Sequence, residues 1–199
     1  MPGNCARYAL HGSRPPLADL SGAYVFDPVD SAVGFSFRHA AGPDVRGGFR
    51  DFEGFLRIDA RRPGRSEAHV SVQSGSLDTG LAARDARIAG PRFLDSAAFP
   101  LMVFRSTAVA PSGADRFRVT GPVRIKDVEL PLRLDLGYLG VAHDAGGRRR
   151  IGFEGSATIR RRDWGLAGSV PPAVRGIPPG DEIRLELRLC ALRLGPEAR

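Results

Sequence analysis

Apolar and polar residues alternate along most of the chain from Ala23 onward, with the period of two that is typical of half-buried strands. The clearest run is "EIRLELRLCAL", where charged residues separate the leucines and isoleucine. "VELPLRLDLGYL" and "SAVGFSFRH" follow the same rule. The apolar face of each run comprises Ile183, Leu185, Leu187 and Leu189; Val128, Leu130, Leu132, Leu134 and Leu136; and Val33, Phe35 and Phe37, continued by His39.

One segment departs from this alternation. Residues 80–89, "GLAARDARIA", have the spacing of an amphipathic helix. Asp78 or Thr79 would cap its first turn, and Gly90 followed by Pro91 would end it. The segment joins two predicted strands by a connection that is long for a barrel. We therefore expect a short helical lid over one end of the fold, with its charges capping, pairing or facing solvent.

About eight or nine strands with turn signals between them predict a sandwich or a barrel. In residues 45–59 the apolar parity shifts between Phe49 and Phe52, and a bulge near Arg50–Asp51 would restore it. Glycines recur within the strands, which favours a strongly curved sheet. The predicted fold is all-β: an antiparallel eight-stranded, lipocalin-like barrel with a short helical lid, whose interior can hold one small ligand.

The chain of 199 residues predicts one domain with an extension. Residues 1–22 lack periodicity and are expected to be poorly ordered, and residues 23–195 form the barrel domain. No apolar run approaches the ~18 residues of a membrane span, so stable membrane insertion is not expected. The sequence begins without an apolar secretory region, and its two cysteines provide no disulfide framework. These features predict a cytoplasmic protein.

The formal net charge is +7, which is compatible with a nucleic acid or an anionic lipid as partner. The triplets Arg148–Arg150 and Arg160–Arg162 begin and end one predicted strand, which separates them by about 40 Å. No aromatic residues are interleaved with them to stack bases, so we do not expect nucleic-acid binding. An edge strand or the extension would be available for a homodimer, although nothing in the sequence specifies one.

Several segments resemble the YceI-like family in order and spacing. These segments are "YVFDPVDSAVGFSFRH", "VRGGFRDFEGFLRID", "SLDTGLAARD", "RFLDSAAFPLMVFRST", "VTGPVRIKDVELPL" and "IRRRDWGL". The resemblance extends from about Tyr24 to Leu194. It implies a lipocalin-like barrel with a long hydrophobic pore, and a carrier of polyisoprenoids such as isoprenoid quinones or polyprenyl phosphates. The chain differs from the family pattern at Asp30, Arg87 and Arg92, and the two arginines make the lid more basic than usual.

The leading functional hypothesis is an apolar pore that binds and carries one isoprenoid-like lipid without turnover. Burial of a prenyl tail yields about 25 cal/mol per Å². Each aromatic or branched side chain in the strands could equally fill a solid core, but the barrel geometry makes that interpretation poor for all of them. The candidate pore-lining residues are Val33, Phe35, Phe37, Phe49, Phe52, Phe93, Phe99, Phe104, Val123, Ile125 and Trp164.

Four residues are candidates for contacting a polar head group. His39 ends the Val33 face and would hydrogen-bond a quinone carbonyl or a phosphate, unless backbone groups satisfy it. Arg84, Arg87 and Arg92 lie on or beside the lid, where guanidinium groups suit phosphate or carboxylate. The alternative for each arginine is a solvated position or an ion pair with Asp85. His39 has no partners at metal-ligand spacing, and we expect neither a metal nor a cofactor.

The alternative hypothesis is an enzyme, a cyclase or isomerase that acts on a hydrophobic polyene in the same pocket. The sequence has no GxSxG, HExxH, CxxC or P-loop motif. Asp51, Glu53, Asp78 and Asp85 are the acids that would serve as a general acid if buried. A carrier needs an apolar pocket wall, whereas an enzyme needs an ionisable group facing its ligand.

Overall fold

The computed structural model describes residues 17–38, 44–144, 146–166 and 180–195. These ranges contain twelve strands, one α-helix and four short 3-10 helices. The strands are β1 (Gly22–Phe26), β2 (Ala32–Phe37), β3 (Val45–Phe49), β4 (Phe52–Ile58), β5 (Glu67–Gln73), β6 (Leu77–Asp78), β7 (Leu101–Arg105), β8 (Ala108–Gly113), β9 (Arg116–Ile125), β10 (Val128–His143), β11 (Arg149–Arg160) and β12 (Glu182–Arg193). The helix α1 is Ala82–Ala89, and the 3-10 helices are Leu17–Leu20, Pro63–Arg65, Ser74–Ser76 and Arg161–Trp164.

The strands close into a barrel of eight positions. Neighbouring strands pair in the order β1, β4, β5, β7, β9, β10, β11 and β12, and β12 pairs again with β1. Four positions consist of two collinear segments, because β2 continues β1 along β12, β3 continues β4, β6 continues β5, and β8 continues β7 along β9. Every pairing is antiparallel. The predicted eight-stranded antiparallel barrel with one short helix is therefore confirmed.

The parity shift between Phe49 and Phe52 corresponds to a complete break rather than to the predicted bulge. Strand β3 ends at Phe49 and β4 begins at Phe52. The residues between them bond to the break in the neighbouring strand: the Arg50 amide donates to the Ser76 carbonyl at 3.1 Å, and the Asp51 carbonyl accepts from the Gln73 amide at 2.9 Å. Because two adjacent strands are interrupted together, these bonds keep the breaks connected where the regular ladder stops.

The barrel interior contains two groups of packed apolar side chains. The first, which we call the lid-end cluster, includes Phe35, Leu94, Phe104 and Trp164 and receives the side chain of Ile88 from α1. The second, the far-end cluster, includes Tyr24, Phe26, Leu56, Tyr138, Ile151 and Phe153. Val70 and Leu187 are partly buried and pack against both. The core is therefore continuous along the barrel, and these two side chains connect its two parts.

The far end is closed by the last residues of the predicted extension. Leu20, in the 3-10 helix Leu17–Leu20, is 1% exposed and belongs to the far-end cluster. Its carbonyl accepts a hydrogen bond from the Tyr24 hydroxyl at 2.9 Å. The guanidinium of Arg149 donates to the Asp19 carbonyl at 2.8 Å. Leu20 and the Asp19 carbonyl are thus held against the barrel, whereas residues 1–16 lie outside the described ranges.

Within the described ranges, no helix has both the length and the apolar character needed to cross a bilayer.

Candidate ligand-binding cavity

An apolar cavity of about 130 Å³ lies inside the barrel against the lid, and we call it the lid cavity. Strand residues form most of its wall, and Ile88, Phe93, Leu94 and Leu166, which lie outside the strands, complete it. All of its described lining residues are hydrocarbon or thioether side chains. They are Val33, Phe35, Phe37, Phe49, Val70, Val72, Ile88, Phe93, Leu94, Met102, Val103, Phe104, Val123, Ile125, Leu132, Leu134, Ile159, Leu166, Ile183, Leu185 and Leu187.

The volume limits what this form of the protein can hold. An apolar cavity of roughly 150 Å³ stays dry and takes up a benzene-sized molecule. The lid cavity therefore accommodates a group of about one isoprene unit without rearrangement. A longer chain requires the lid, or the side chains that separate the two ends of the core, to move aside.

We define the lid segment as residues 80–101, which include α1. The first turn of α1 is held by hydrogen bonds that the sequence did not predict. The residue that precedes α1 is Leu81, and no side chain caps the helix there. Instead the Asp85 carboxylate reaches back and accepts hydrogen bonds from the backbone amide of Thr79, at 3.0 Å, and from its hydroxyl. The predicted capping by Asp78 or Thr79 is therefore wrong. Neither side chain caps the helix; instead Asp85, inside the helix, accepts a hydrogen bond from the backbone amide of Thr79, which lies before the helix.

The lid segment turns its apolar residues into the barrel. Leu94 is 5% exposed, and its amide donates to the carbonyl of Ile88 at 3.0 Å. The chain then turns sharply at Asp95, whose φ is +49° and whose amide donates to the Gly90 carbonyl at 2.9 Å. This turn places Ile88, Phe93 and Leu94 together in the cavity wall. The lid segment is therefore part of the binding surface as well as its cover.

The base of the lid carries an ion pair. Asp78 accepts a hydrogen bond from the Gly80 amide at 2.8 Å and another from the Arg50 Nε at 3.1 Å. The Gly80 amide, and then the Arg50 guanidinium, hold the pKa of the Asp78 carboxyl below its usual range. Gly80 has a φ of +81°, a conformation that glycine adopts without strain. The strand breaks at residues 50–51 and 74–76 therefore lie next to the start of the lid segment.

Eight of the eleven predicted pore-lining residues contribute to the lid cavity: Val33, Phe35, Phe37, Phe49, Phe93, Phe104, Val123 and Ile125. The other three lie elsewhere, which corrects the prediction for them. Phe52 is buried but lines neither interior cavity. Phe99 lies under the amine of Lys126, which is 6.0 Å from the ring centre. Trp164 is 4% exposed within the lid-end cluster, behind the cavity wall.

Most of the remaining wall consists of aliphatic residues that were not named as candidates. The alternation in β10 and β12 already marked Leu132, Leu134, Ile183, Leu185 and Leu187 as one face of each strand. The predicted lining was mostly aromatic and left these residues out. For Ile88 the helical spacing was visible, and Leu94 follows the helix, but no sequence signal indicated that these two side chains face into the barrel.

The four predicted head-group residues are not brought together around a common point. His39 lies outside the described residues. The guanidinium of Arg84 is bound to Thr79, with its Nε 2.7 Å from the hydroxyl oxygen and a second nitrogen 2.8 Å from the carbonyl. Arg87 and Arg92 are exposed and make no hydrogen bond or ion pair with any described residue. Arg84 is therefore a structural residue of the lid, and the other two arginines are available to an anion.

A second apolar cavity, of about 120 Å³, lies toward the far end of the barrel, and sequence analysis did not anticipate it. Leu56, Phe117, Phe153 and Leu189 contribute to its wall. Unlike the lid cavity, it has charged side chains among its lining, namely Arg57, Asp59 and Glu67. Among the described residues, none lines both cavities. The structure thus contains two apolar cavities where the family resemblance implies one long pore.

Comparison with known proteins agrees, over most of the chain, with the family resemblance described in the sequence analysis. The sequence profile of the YceI-like domain matches residues 24–191. A UPF0312 protein of Azotobacter vinelandii is 33% identical over 157 residues, which cover 79% of each chain. The protein YceI of Salmonella newport is 31% identical over 141 residues, which cover 71% of this chain and 73% of the relative.

Solved structures share the fold at lower identity. BcnA of Burkholderia cenocepacia superposes with a TM-score of 0.70 at 22% identity, over 83% of this chain and 98% of BcnA. A domain from Saccharophagus degradans, described as polyisoprenoid-binding and implicated in plant cell wall breakdown, superposes with a TM-score of 0.66. It is 14% identical, over 86% of this chain and 98% of that domain.

Proposed function

Since the chain belongs to the YceI-like family, we propose that it binds one isoprenoid-type amphiphile, a polyprenyl phosphate or an isoprenoid quinone, and sequesters or carries it without chemical change. The first part of the tail occupies the lid cavity, and the rest of a longer tail enters when the lid or neighbouring side chains move aside. The observation that carries this proposal is the wall of that cavity, in which every described lining side chain is apolar.

The wall composition favours a hydrocarbon ligand on energetic grounds. Removal of about 300 Å² of prenyl surface from water yields about 7 kcal/mol. Loss of rotational and translational freedom offsets part of this gain. A polar ligand would lose its hydrogen bonds to water in this chamber without replacement, at a cost of several kcal/mol for each buried group. The ligand that fits is therefore one whose buried part carries no polar atoms.

The same wall favours binding over turnover. A cyclase or isomerase needs a group that donates or removes a proton within hydrogen-bond reach of its substrate. None of the described residues that line the lid cavity is titratable. Of the acids considered as candidates, Asp78 pairs with Arg50 outside the cavity, and Asp85 is committed to Thr79. Asp51 and Glu53 are exposed.

Arg87 and Arg92 are the residues that we propose for contact with a phosphate head group. Both are exposed in the lid segment, and the guanidinium fork suits phosphate oxygens. A quinone lacks this charge, so the two ligand classes differ in their dependence on these side chains. The cytoplasmic location remains a prediction from the sequence, and cell fractionation tests it.

Organic extraction of the purified protein, followed by mass spectrometry, tests the proposed function. We expect an isoprenoid compound, in a ratio to protein that approaches one and with its structure unchanged after incubation. Trp164 is the single tryptophan and lies behind the cavity wall, so its fluorescence should change when geranylgeranyl phosphate or menaquinone-4 is added to delipidated protein. Absence of any bound lipid, together with conversion of a supplied polyene, would instead support the enzyme.

A further inference from the structure

The outer surface of the lid segment differs from the rest of the barrel wall. Among its exposed residues, only Arg87 and Arg92 are charged or polar in their side chains. Leu81 is 58% exposed and Leu101 is 40% exposed, although both are large and apolar. The remaining exposed residues of the segment are Gly80, Ala82, Ala83, Ala86, Pro91, Ala97, Ala98 and Pro100.

The segment exposes no acid to offset its two cations. It contains Asp85 and Asp95, and both are partly buried. The Asp85 carboxylate is bound to Thr79. On the barrel wall, by contrast, exposed acids and bases alternate: Arg184 pairs with Glu186 at 3.6 Å. The outer face of the lid segment is therefore apolar with a purely cationic fringe.

The two sides of the lid segment suit a role at a lipid surface. Its inner side, through Ile88, Phe93 and Leu94, forms part of the cavity wall. Apolar side chains can enter the boundary between head groups and acyl chains, while arginines attract anionic phosphates there. A ligand with a long prenyl tail is stored in a bilayer, since it does not dissolve in water.

We propose that the outer face of the lid segment docks on the surface of an anionic phospholipid bilayer, so that the lid cavity opens toward the lipid phase that supplies its ligand. This proposal rests on the proposed function for its purpose, but the docking itself requires no bound isoprenoid. The patch is small and mostly alanine, so the contact is weak and reversible. A carrier must leave the bilayer after loading, which a stronger anchor would prevent.

Vesicle sedimentation of delipidated full-length protein tests the docking. Vesicles contain phosphatidylcholine alone or with phosphatidylglycerol, and no isoprenoid. We expect partition only onto the anionic vesicles, and a loss of it as salt rises from ~0.1 M to ~1 M, which shortens the screening length from about 10 Å to about 3 Å. Equal partition onto both kinds of vesicle, or onto neither, would overturn the proposal.

Charge variants locate the contact. Each cation near an anionic bilayer is worth about fivefold in partition, so R87Q/R92Q should reduce it about 30-fold. R65Q/R116Q is the matched control, because Arg65 and Arg116 are exposed near the far-end cavity and their replacement makes the same change in net charge. The control should stay within about threefold of the wild type. Equal losses in both variants would mean that net charge, not the lid segment, drives binding.

An insertion probe distinguishes the bilayer from a protein partner. Leu81→Trp places an indole on the outer face, and brominated acyl chains should quench it while leaving the buried Trp164 unchanged. Ala83→Asp should abolish vesicle binding without a change in oligomeric state. If Ala83→Asp instead dissociates a dimer, and the wild type does not partition, the patch is a protein interface. If the protein retains extractable isoprenoid but does not bind the vesicles, the docking proposal is overturned while the proposed function stands.

Discussion

The guanidinium of Arg84 donates two hydrogen bonds to Thr79, one to the hydroxyl oxygen at 2.7 Å and one to the backbone carbonyl at 2.8 Å. The same hydroxyl donates to Asp85. These three residues tie α1 to the strand segment that precedes it. A side chain that looked available to a ligand thus holds the cover of the cavity in place.

Replacement of Arg84 by alanine should loosen the lid while the barrel stays folded. Loss of its two hydrogen bonds should lower the free energy of unfolding by about 1 kcal/mol. Hydrogen exchange should accelerate in residues 79–95, and uptake of the uncharged menaquinone-4 by delipidated protein should become faster. Arg87→Ala is the control, because that side chain lies on the same helix without a described partner. Identical exchange in both variants would contradict a tethering role for Arg84.

Leu185→Trp should fill the lid cavity and exclude the ligand. Leu185 lines the cavity and is only partly buried, so the indole has space to enter, at a cost of about 1–3 kcal/mol in stability. Glu186→Trp, at the next residue and exposed on the outer wall, is the matched control. Extraction should recover lipid from the control but not from Leu185→Trp. Equal recovery from both folded variants would place the ligand outside this chamber.

Leu187→Ala should join the two chambers. Leu187 lines the lid cavity and also packs on the far-end cluster, so its truncation should extend the lid cavity toward the far end of the barrel. We expect a cost of about 2–3 kcal/mol and a shift of the extracted compounds toward longer prenyl chains. Leu130→Ala is the control, because Leu130 packs on the lid-end cluster but lines neither cavity. An unchanged distribution of chain lengths would show that the ligand never crosses this point.

The ion pair at the base of the lid predicts a dependence of stability on pH. The pKa of Asp78 is held below its usual range by the Gly80 amide and then by Arg50. A lowered pKa in the folded state means that the contribution of Asp78 is fully present above the unfolded value of about 3.9 and is lost as pH falls through the folded value. The stability difference between the wild type and Asp78→Asn, measured by urea unfolding, should therefore shrink below about pH 4. A difference that stays constant through this range would contradict the assignment.

Gly121→Ala should prevent normal closure of the barrel. A Cβ atom at Gly121 would lie 1.9 Å from the Arg105 carbonyl oxygen. The residues that join β7 to β8 pass close alongside Gly121 of β9 at this point. We expect a loss of about 3 kcal/mol or more. At Gly137, also in a strand, a Cβ atom would meet nothing nearer than 3.8 Å, so Gly137→Ala should change the stability far less. Thermal unfolding of the two variants provides the comparison.

Sequence periodicity was sufficient for the barrel but not for its interior. Alternation identifies the inward face of a strand such as β12, since a period of two holds wherever one face is buried. It does not indicate which of the inward side chains line a cavity and which fill the core. Val70 and Leu187 pack against both apolar clusters, a position that depends on the register and on the breaks of the strands, which alternation does not specify. Similarly, the bonds of Arg84 depend on how the chain bends at Thr79, which no local pattern encodes.

Strand β12 pairs with β1 and β2 at one side and with β11 at the other. The segment made last among the described strands therefore completes a wall that the first strands began, with partners such as Val33 and Leu187 more than 150 positions apart. The barrel therefore cannot close until β12 has been synthesised and has paired with β1 and β2, and until then the apolar inner faces of the earlier strands lack their covering wall.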